Sequence, residues 1–300
     1  MPTREMSGQE LWDLFAASDE FLHTLDRDGI KIAEMVPVVE SWGGGTATLP
    51  RIAIVLALLT DKPRELYDRL ALEMADWPRR PARDQLRTLF DWLCRQLGRS
   101  RVVERTGLSL VHVPVLRREF PEARFVHIHR DGPDCAMSMS RTPIFRLALL
   151  RATAAQRFAE VRGGTRAERA RVRAEFTGLV APPYDVDKVR DYDLPPSAFG
   201  EMWSDWMRDG LAELAEIAPD RLLTIRYEDL LSDPRTGFCE LGTFIGADIT
   251  DEWLDAARTH VDVTRIGAAK KLDATQLAEL HSACEPGTRA LRDFTHHAFR

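Results

Sequence analysis

The chain has 300 residues, 44% hydrophobic and 29% charged, which is the composition of an ordinary soluble protein with enough apolar material for one large core. A net charge of −6 excludes a general nucleic-acid binder, which needs a basic face for the phosphate backbone, but not a local basic pocket for a small anion. Four scattered cysteines (Cys94, Cys135, Cys239 and Cys284) show no C-x-x-C spacing, so reduced thiols are expected and a zinc site is not.

The opening MPTREMSGQELWDLF lacks the apolar centre of a signal peptide, and the longest apolar run, Ile52 to Leu59, is too short to span a bilayer. The expectation is a cytoplasmic protein with no membrane partner. Ser7 and Glu10 form a capping-box pattern before LWDLFAAS, predicting a first helix. A second covers Asp19 to Leu25 and stops at Gly29. The stretch EMVPVVESWGGGTATLP reads as irregular, broken by Pro37, three glycines and Pro50. Helices follow at Arg51–Leu59, Pro63–Met74 and Ala82–Leu97, the last with Leu86, Leu89, Phe90, Leu93 and Leu97 on one face.

From Arg101 the pattern changes. RVVERT reads as a short strand, SLVHVPVLRREFP as a helix with a proline stop, RFVHIHR as a second strand and DGPDCAMSMSR as the start of a second helix. Strand and helix alternating at this spacing predict a parallel βαβ unit. A helix is expected from Phe145 to Val161. The polar segment Gly163–Pro196 reads as an excursion or lid, and its run Arg166, Arg169, Arg171, Arg173 as a solvated helix face. AFGEMWSDWMRDGLAELAEI is an amphipathic helix with Trp203 and Trp206 expected in the core. RLLTIRY is a third strand, followed by helical sequence to Gly246. The expected whole is one α/β domain: a helical part over 1–100, an α/β core over 101–246, and C-terminal helices over 247–300.

The join at Arg130 carries the most chemistry. Ligands of a parallel sheet sit beyond the carboxyl ends of its strands, and Arg130 stands at such an end. Asp131 is a candidate N-cap, with Gly132 and Pro133 opening the next helix. A helix start offers N–H groups and partial positive charge to an anion. Ser138 lies four residues beyond Asp134 on the same face, so its hydroxyl can donate to a phosphate or carboxylate gripped by the Arg130 fork. The alternative is a structural Arg130–Asp131 ion pair with Ser138 merely facing solvent; the strand-end position favours function.

The stretch VVERTGLSLVHVPVLRREFPEARFVHIHRDGPDCAMSMSR resembles the core of sulfotransferases that use 3′-phosphoadenosine 5′-phosphosulfate, and within them a bacterial branch. IRYEDLLSDP, followed by a helix ending FIG, is similar to a second hallmark of that family. The resemblance covers roughly Arg101–Gly246. It implies a P-loop-NTPase-like parallel sheet flanked by helices, a nucleotide co-substrate, a small-molecule acceptor with a hydroxyl or amine, and no metal. It assigns the 3′-phosphate to Arg130 and Ser138, places Tyr227 near the nucleotide, and puts Arg265 and Gly267, in TRIGAAKKLDATQL, in a C-terminal nucleotide loop. It also makes Arg105 a candidate for stabilising the transferring sulfuryl group, with Glu104 beside it as a candidate base; adjacent strand residues face opposite ways, so one of the two points elsewhere. His112, Glu34 and Glu40 remain alternative bases.

The chain departs from that family in one respect. The expected 5′-phosphosulfate loop, a strand leading into a Gly/Ser/Thr-rich turn and a helix, is not recognisable. ESWGGGTATLP is the one glycine-rich candidate, with no Lys or Arg between Trp42 and Pro50, and reads better as a surface or acceptor-site loop. An N-terminally shortened enzyme and an impaired nucleotide-binding homologue both fit this departure. No GxxxxGK[ST] motif supports a P-loop kinase. His127 and His129 read as core or neighbouring histidines rather than metal ligands. The acceptor's identity and the oligomeric state are not encoded in any motif found.

Overall fold

The computed structural model describes residues 5–298 apart from Leu108, Val263 and Arg265; the side chain of Glu34, one of the candidate bases, also lies outside what is described. The backbone groups into two compact units, one formed by 1–100 with 142–193, the other by 101–141 with 194–300.

The first unit is built of helices. Strands β1 (Glu5–Met6) and β2 (Arg80–Pro81) pair antiparallel over two residues, beside the fully buried Gln85. The Gln85 amide donates to Met6 O (2.7 Å) and Pro78 O (2.9 Å), and its oxygen accepts from Arg80 (3.0 Å), so burying this polar group leaves little unsatisfied. The capping box forms as expected: Ser7 Oγ accepts from Glu10 N–H and Glu10 accepts from Ser7 N–H at the head of helix Gly8–Ala16. Helices Ala53–Leu59, Pro63–Ala75 and Ala82–Leu97 match their sequence patterns closely.

Two expectations for this unit were wrong. Val36–Trp42 is helical rather than irregular; Pro37 occupies its first turn, where a missing N–H costs nothing and the fixed φ suits the helix. The 163–196 segment also contains packed structure, in helices Arg166–Phe176 and Val186–Asp191. Val172, Phe176, Leu179, Tyr184 and Val189 are buried. Arg146 donates to Val189 O (3.1 Å) and Tyr192 O (2.8 Å), and Arg151 to Tyr184 Oη (2.6 Å). Apolar residues spaced among many charges hid this core from a reading weighted by polarity.

The second unit holds the parallel pairing. Strands β3 (Phe125–His129) and β4 (Leu222–Arg226) run parallel in the register Phe125↔Leu222 to His129↔Arg226, so both chains leave the sheet at the same edge. Their apolar residues come from the two runs that the sequence marks as strands. Helices Gly132–Met139, Pro196–Leu214 and Ala274–Ala298 pack together in this unit. Phe199 and Leu280 are fully buried; Trp203 is buried as expected, whereas Trp206, also expected in the core, is only half-buried. Close approach needs glycine at Gly132, where an added Cβ would lie 2.6 Å from the Trp203 ring. The strand expected at RVVERT does not form. Residues 101–107 are coil and exposed, with Val102 at 44% and Val103 at 66% exposure. Two valines among three charges bury too little area to offset the ordering of a strand. Among the described residues the molecule is therefore a helix-rich α/β structure with a small parallel sheet, and no helix is long and apolar enough to cross a membrane.

Candidate functional site at the carboxyl edge of the parallel strands

The register places Arg130, directly after β3, beside Tyr227, directly after β4. The Arg130 guanidinium carbon lies 5.4 Å from the Tyr227 ring centroid, a cation–π arrangement, and its side chain is 18% exposed. Arginine at the end of a partly buried strand is thus supported on one side by an aromatic face and still reachable from solvent.

Carboxylates organise the rest. Asp131 caps helix Gly132–Met139 by accepting from Asp134 N–H (3.1 Å). Asp131 N–H donates to Glu228 Oε1 (3.0 Å), tying the two strand ends together. Glu228 Oε2 lies 3.3 Å from Arg226 Nε. Asp134, 4% exposed, accepts from Gly267 N–H (2.6 Å) and Ala269 N–H (2.9 Å) and stands 3.6 Å from Arg130 Nη2. Each of the three acids takes a backbone N–H, which offsets part of its charge and allows an incoming anion to meet Arg130 rather than a bare acidic cluster.

The helix start contributes less to an anion site than the sequence implies. Asp134 N–H goes to the Asp131 side chain, Cys135 N–H goes to Asp131 O (2.9 Å), and Pro133 has none. The donors of this turn are largely spent within the protein. The burden of anion recognition falls on side chains, first of all Arg130. Ser138 is exposed one turn further along the same helix.

Among the sequence-predicted residues, the structure brings together Arg130, Tyr227 and, through Asp134, Gly267. Arg265 lies outside the described residues. Glu104 and Arg105 do not sit at a strand end, because the strand is absent; both are exposed in the 101–107 coil, where Glu104 meets Ser109 Oγ at 3.4 Å. Asp134 and Glu228 were missed as site residues. The signal for Asp134 was present in the Arg-x-x-x-Asp spacing across Arg130 and Asp134, whereas Glu228 acquires meaning only once β3 and β4 are paired.

Two neighbouring groups are set aside by their environment. His127 is buried with its Nδ1 unbonded, and burial, aided by the nearby His129, pulls its pKa down to about 4. The rings of His127 and His129 lie 5.6 Å apart, but no group of three or more metal-ligating side chains exists among the described residues. Burial pushes the Cys135 thiol up to about 11, so it is no thiolate nucleophile at neutral pH.

The glycine-rich stretch forms a braced turn. Gly43, Gly44 and Gly45 all have positive φ. Arg64 donates to Trp42 O (2.6 Å) and Gly43 O (2.8 Å) and stacks on the Trp42 ring at 5.1 Å. A helix rather than a strand leads into it, so the strand–turn–helix frame of a phosphate loop is missing there.

Residues 59–176 match the model of the sulfotransferase family, a stretch that takes in Arg130 and Ser138 and stops short of Tyr227 and Gly267. No curated protein and no solved structure matches the chain. The family match supports a sulfotransferase family and, in general terms, a sulfuryl-transfer role.

Proposed function

We propose that this protein transfers a sulfuryl group from 3′-phosphoadenosine 5′-phosphosulfate to a hydroxyl or amine of a small molecule. The observation that carries this reading is Arg130, held at the carboxyl edge of β3 against Tyr227 at the end of β4, inside a stretch that matches the sulfotransferase family. A P-loop-like fold, one domain over 1–300 and a nucleotide site at this edge belong to the same proposal.

The residues fit the nucleotide chemically. A planar guanidinium fork suits a phosphate, the Tyr227 ring keeps that fork in place, and the exposed Ser138 hydroxyl supplies a neutral donor. The donor, when bound, supplies an activated sulfuryl group. The protein's own task is to hold the 3′-phosphate so that the other end of the nucleotide meets the acceptor in one orientation. Gly267 and Arg265 complete the nucleotide side of the proposal. Arg105 remains the proposed cation for charge developing on the sulfuryl group, and Glu104 the proposed base. Both would have to be drawn in from an exposed segment when substrate binds.

That exposure favours a second reading, a homologue that binds the nucleotide without turning it over. Incubation with labelled donor and a library of hydroxyl and amine acceptors separates the two. Label transfer well above that of Arg130→Ala supports the enzyme. Tight binding of the desulfo nucleotide with no transfer supports the second reading.

A further inference from the structure

We propose that Asp134 is the positioning residue of this site, holding the turn at Gly267–Ala269 and the Arg130 guanidinium in one arrangement so that the 3′-phosphate is recognised. The inference rests on the nucleotide reading above.

Asp134 is an ionisable group with 4% exposure, and a buried carboxylate is tolerated only when its charge is matched. Here the matching partners come from two remote parts of the chain. Oδ2 accepts from Gly267 N–H at 2.6 Å and faces Arg130 Nη2 at 3.6 Å; Oδ1 accepts from Ala269 N–H at 2.9 Å. Gly267 has a left-handed backbone, with φ of +81°, which opens the 3-10 turn Ala268–Lys271 and turns both N–H groups toward one acceptor. Asp134 is itself fixed, since its own N–H is capped by Asp131. Arg130 therefore has the Tyr227 ring on one side and the Asp134 carboxylate on another. Bidentate capture of a phosphate depends on the plane of the guanidinium, and these two supports set it. Losing Asp134 would free the turn and the fork together, and the damage would fall on recognition of the 3′-phosphate rather than on binding of the adenosine.

The test uses the full chain with Asp134→Asn, which keeps the shape but sets an amide NH2 group against one of the two N–H donors. Affinities for 3′,5′-diphosphoadenosine and for adenosine 5′-monophosphate are measured, with amide hydrogen exchange of the nucleotide-free protein alongside. The expected result is a roughly ten- to hundredfold fall in the preference for the 3′-phosphorylated nucleotide. Exchange at Gly267 and Ala269 should speed up while the amides of β3 and β4 stay protected. Ala269→Pro, which deletes one donor and leaves Asp134 intact, should lower the nucleotide preference by less and speed exchange at Gly267, the remaining donor. An unchanged preference in folded Asp134→Asn, or equal loss for both nucleotides, overturns the role. If the unaltered protein shows no preference for the 3′-phosphate, the nucleotide reading falls and takes this role with it. That failure is told apart from a wrong clamp because it is read in the unaltered protein, whereas a wrong clamp leaves the unaltered protein's preference in place and shows only in Asp134→Asn.

Discussion

Two stretches of the second unit, each marked by sequence as a strand end bearing an arginine, turn out differently. At Arg130 the strand exists, pairs with β4, and delivers a guanidinium onto the Tyr227 ring beside a buried acid. At Arg105 the strand does not exist, and the arginine lies in exposed coil. The difference lies in what stands behind each arginine. FVHIH buries His127, matches LLTIR residue for residue, and is followed by a capped helix whose Gly132 packs on Trp203. RVVE has two valines and no partner ladder. A charged residue becomes a precise ligand only when its backbone is already held by packing, because ordering the backbone at the moment of binding costs affinity.

Substitutions can break or sharpen that contrast. The largest binding effect should come from Arg130→Ala, with affinity for 3′,5′-diphosphoadenosine falling roughly hundredfold, as removal of a charge-assisted pair implies. Calorimetric titration reads it. A smaller loss than that of Arg105→Ala would reverse the contrast.

The strand behind Arg130 carries its own acid sensitivity. Because burial lowers the His127 pKa to about 4, the unfolded chain, with a pKa near 6.5, binds more protons between those values, so stability falls as pH drops through that window. The cost approaches about 3 kcal/mol near pH 4. Melting curves of the unaltered protein and of His127→Phe should diverge from pH 6.5 downward and run parallel above it; parallel curves throughout would remove His127 as the cause.

Gly132→Ala tests the packing that supports the helix start. A Cβ there would meet the Trp203 ring at 2.6 Å, an overpacking that should cost about 1–3 kcal/mol in denaturant unfolding. Tyr227→Leu should weaken nucleotide binding by roughly three- to thirtyfold through loss of the cation–π face, whereas Tyr227→Phe keeps the face and should stay within about threefold. If Phe fails as badly as Leu, the hydroxyl rather than the ring is the working group. The smallest effect belongs to the exposed segment: Arg105→Ala should change stability by no more than about 0.5 kcal/mol. Its nucleotide affinity should stay within about twofold, and any larger effect would appear in transfer rate alone.

Much of this architecture was legible in the chain. Ser7 with Glu10 and the apolar runs that became β3 and β4 act locally, so spacing and residue type suffice; Asp19, read as the first residue of the second helix, is instead its N-cap. Arg130 and Tyr227 were legible one by one, as residues following strands, but their stacking depends on register. What sequence concealed was non-local. Arg64 braces the glycine turn from another helix, and Arg146 and Arg151 anchor the 163–196 segment through carbonyls and a tyrosine hydroxyl. Asp134 takes its partners from more than a hundred residues downstream. Pro37 misled for the opposite reason, since a proline reads as a breaker unless its place in the first helical turn is known.

We propose that the edge where Arg130 meets Tyr227 recognises a nucleotide through its 3′-phosphate, with Ser138 as a further donor. Titration of the unaltered protein with 3′,5′-diphosphoadenosine and with adenosine 5′-monophosphate tests it most directly. A preference of roughly hundredfold for the diphosphate is predicted from a charge-assisted arginine contact; equal affinity for the two nucleotides would contradict it.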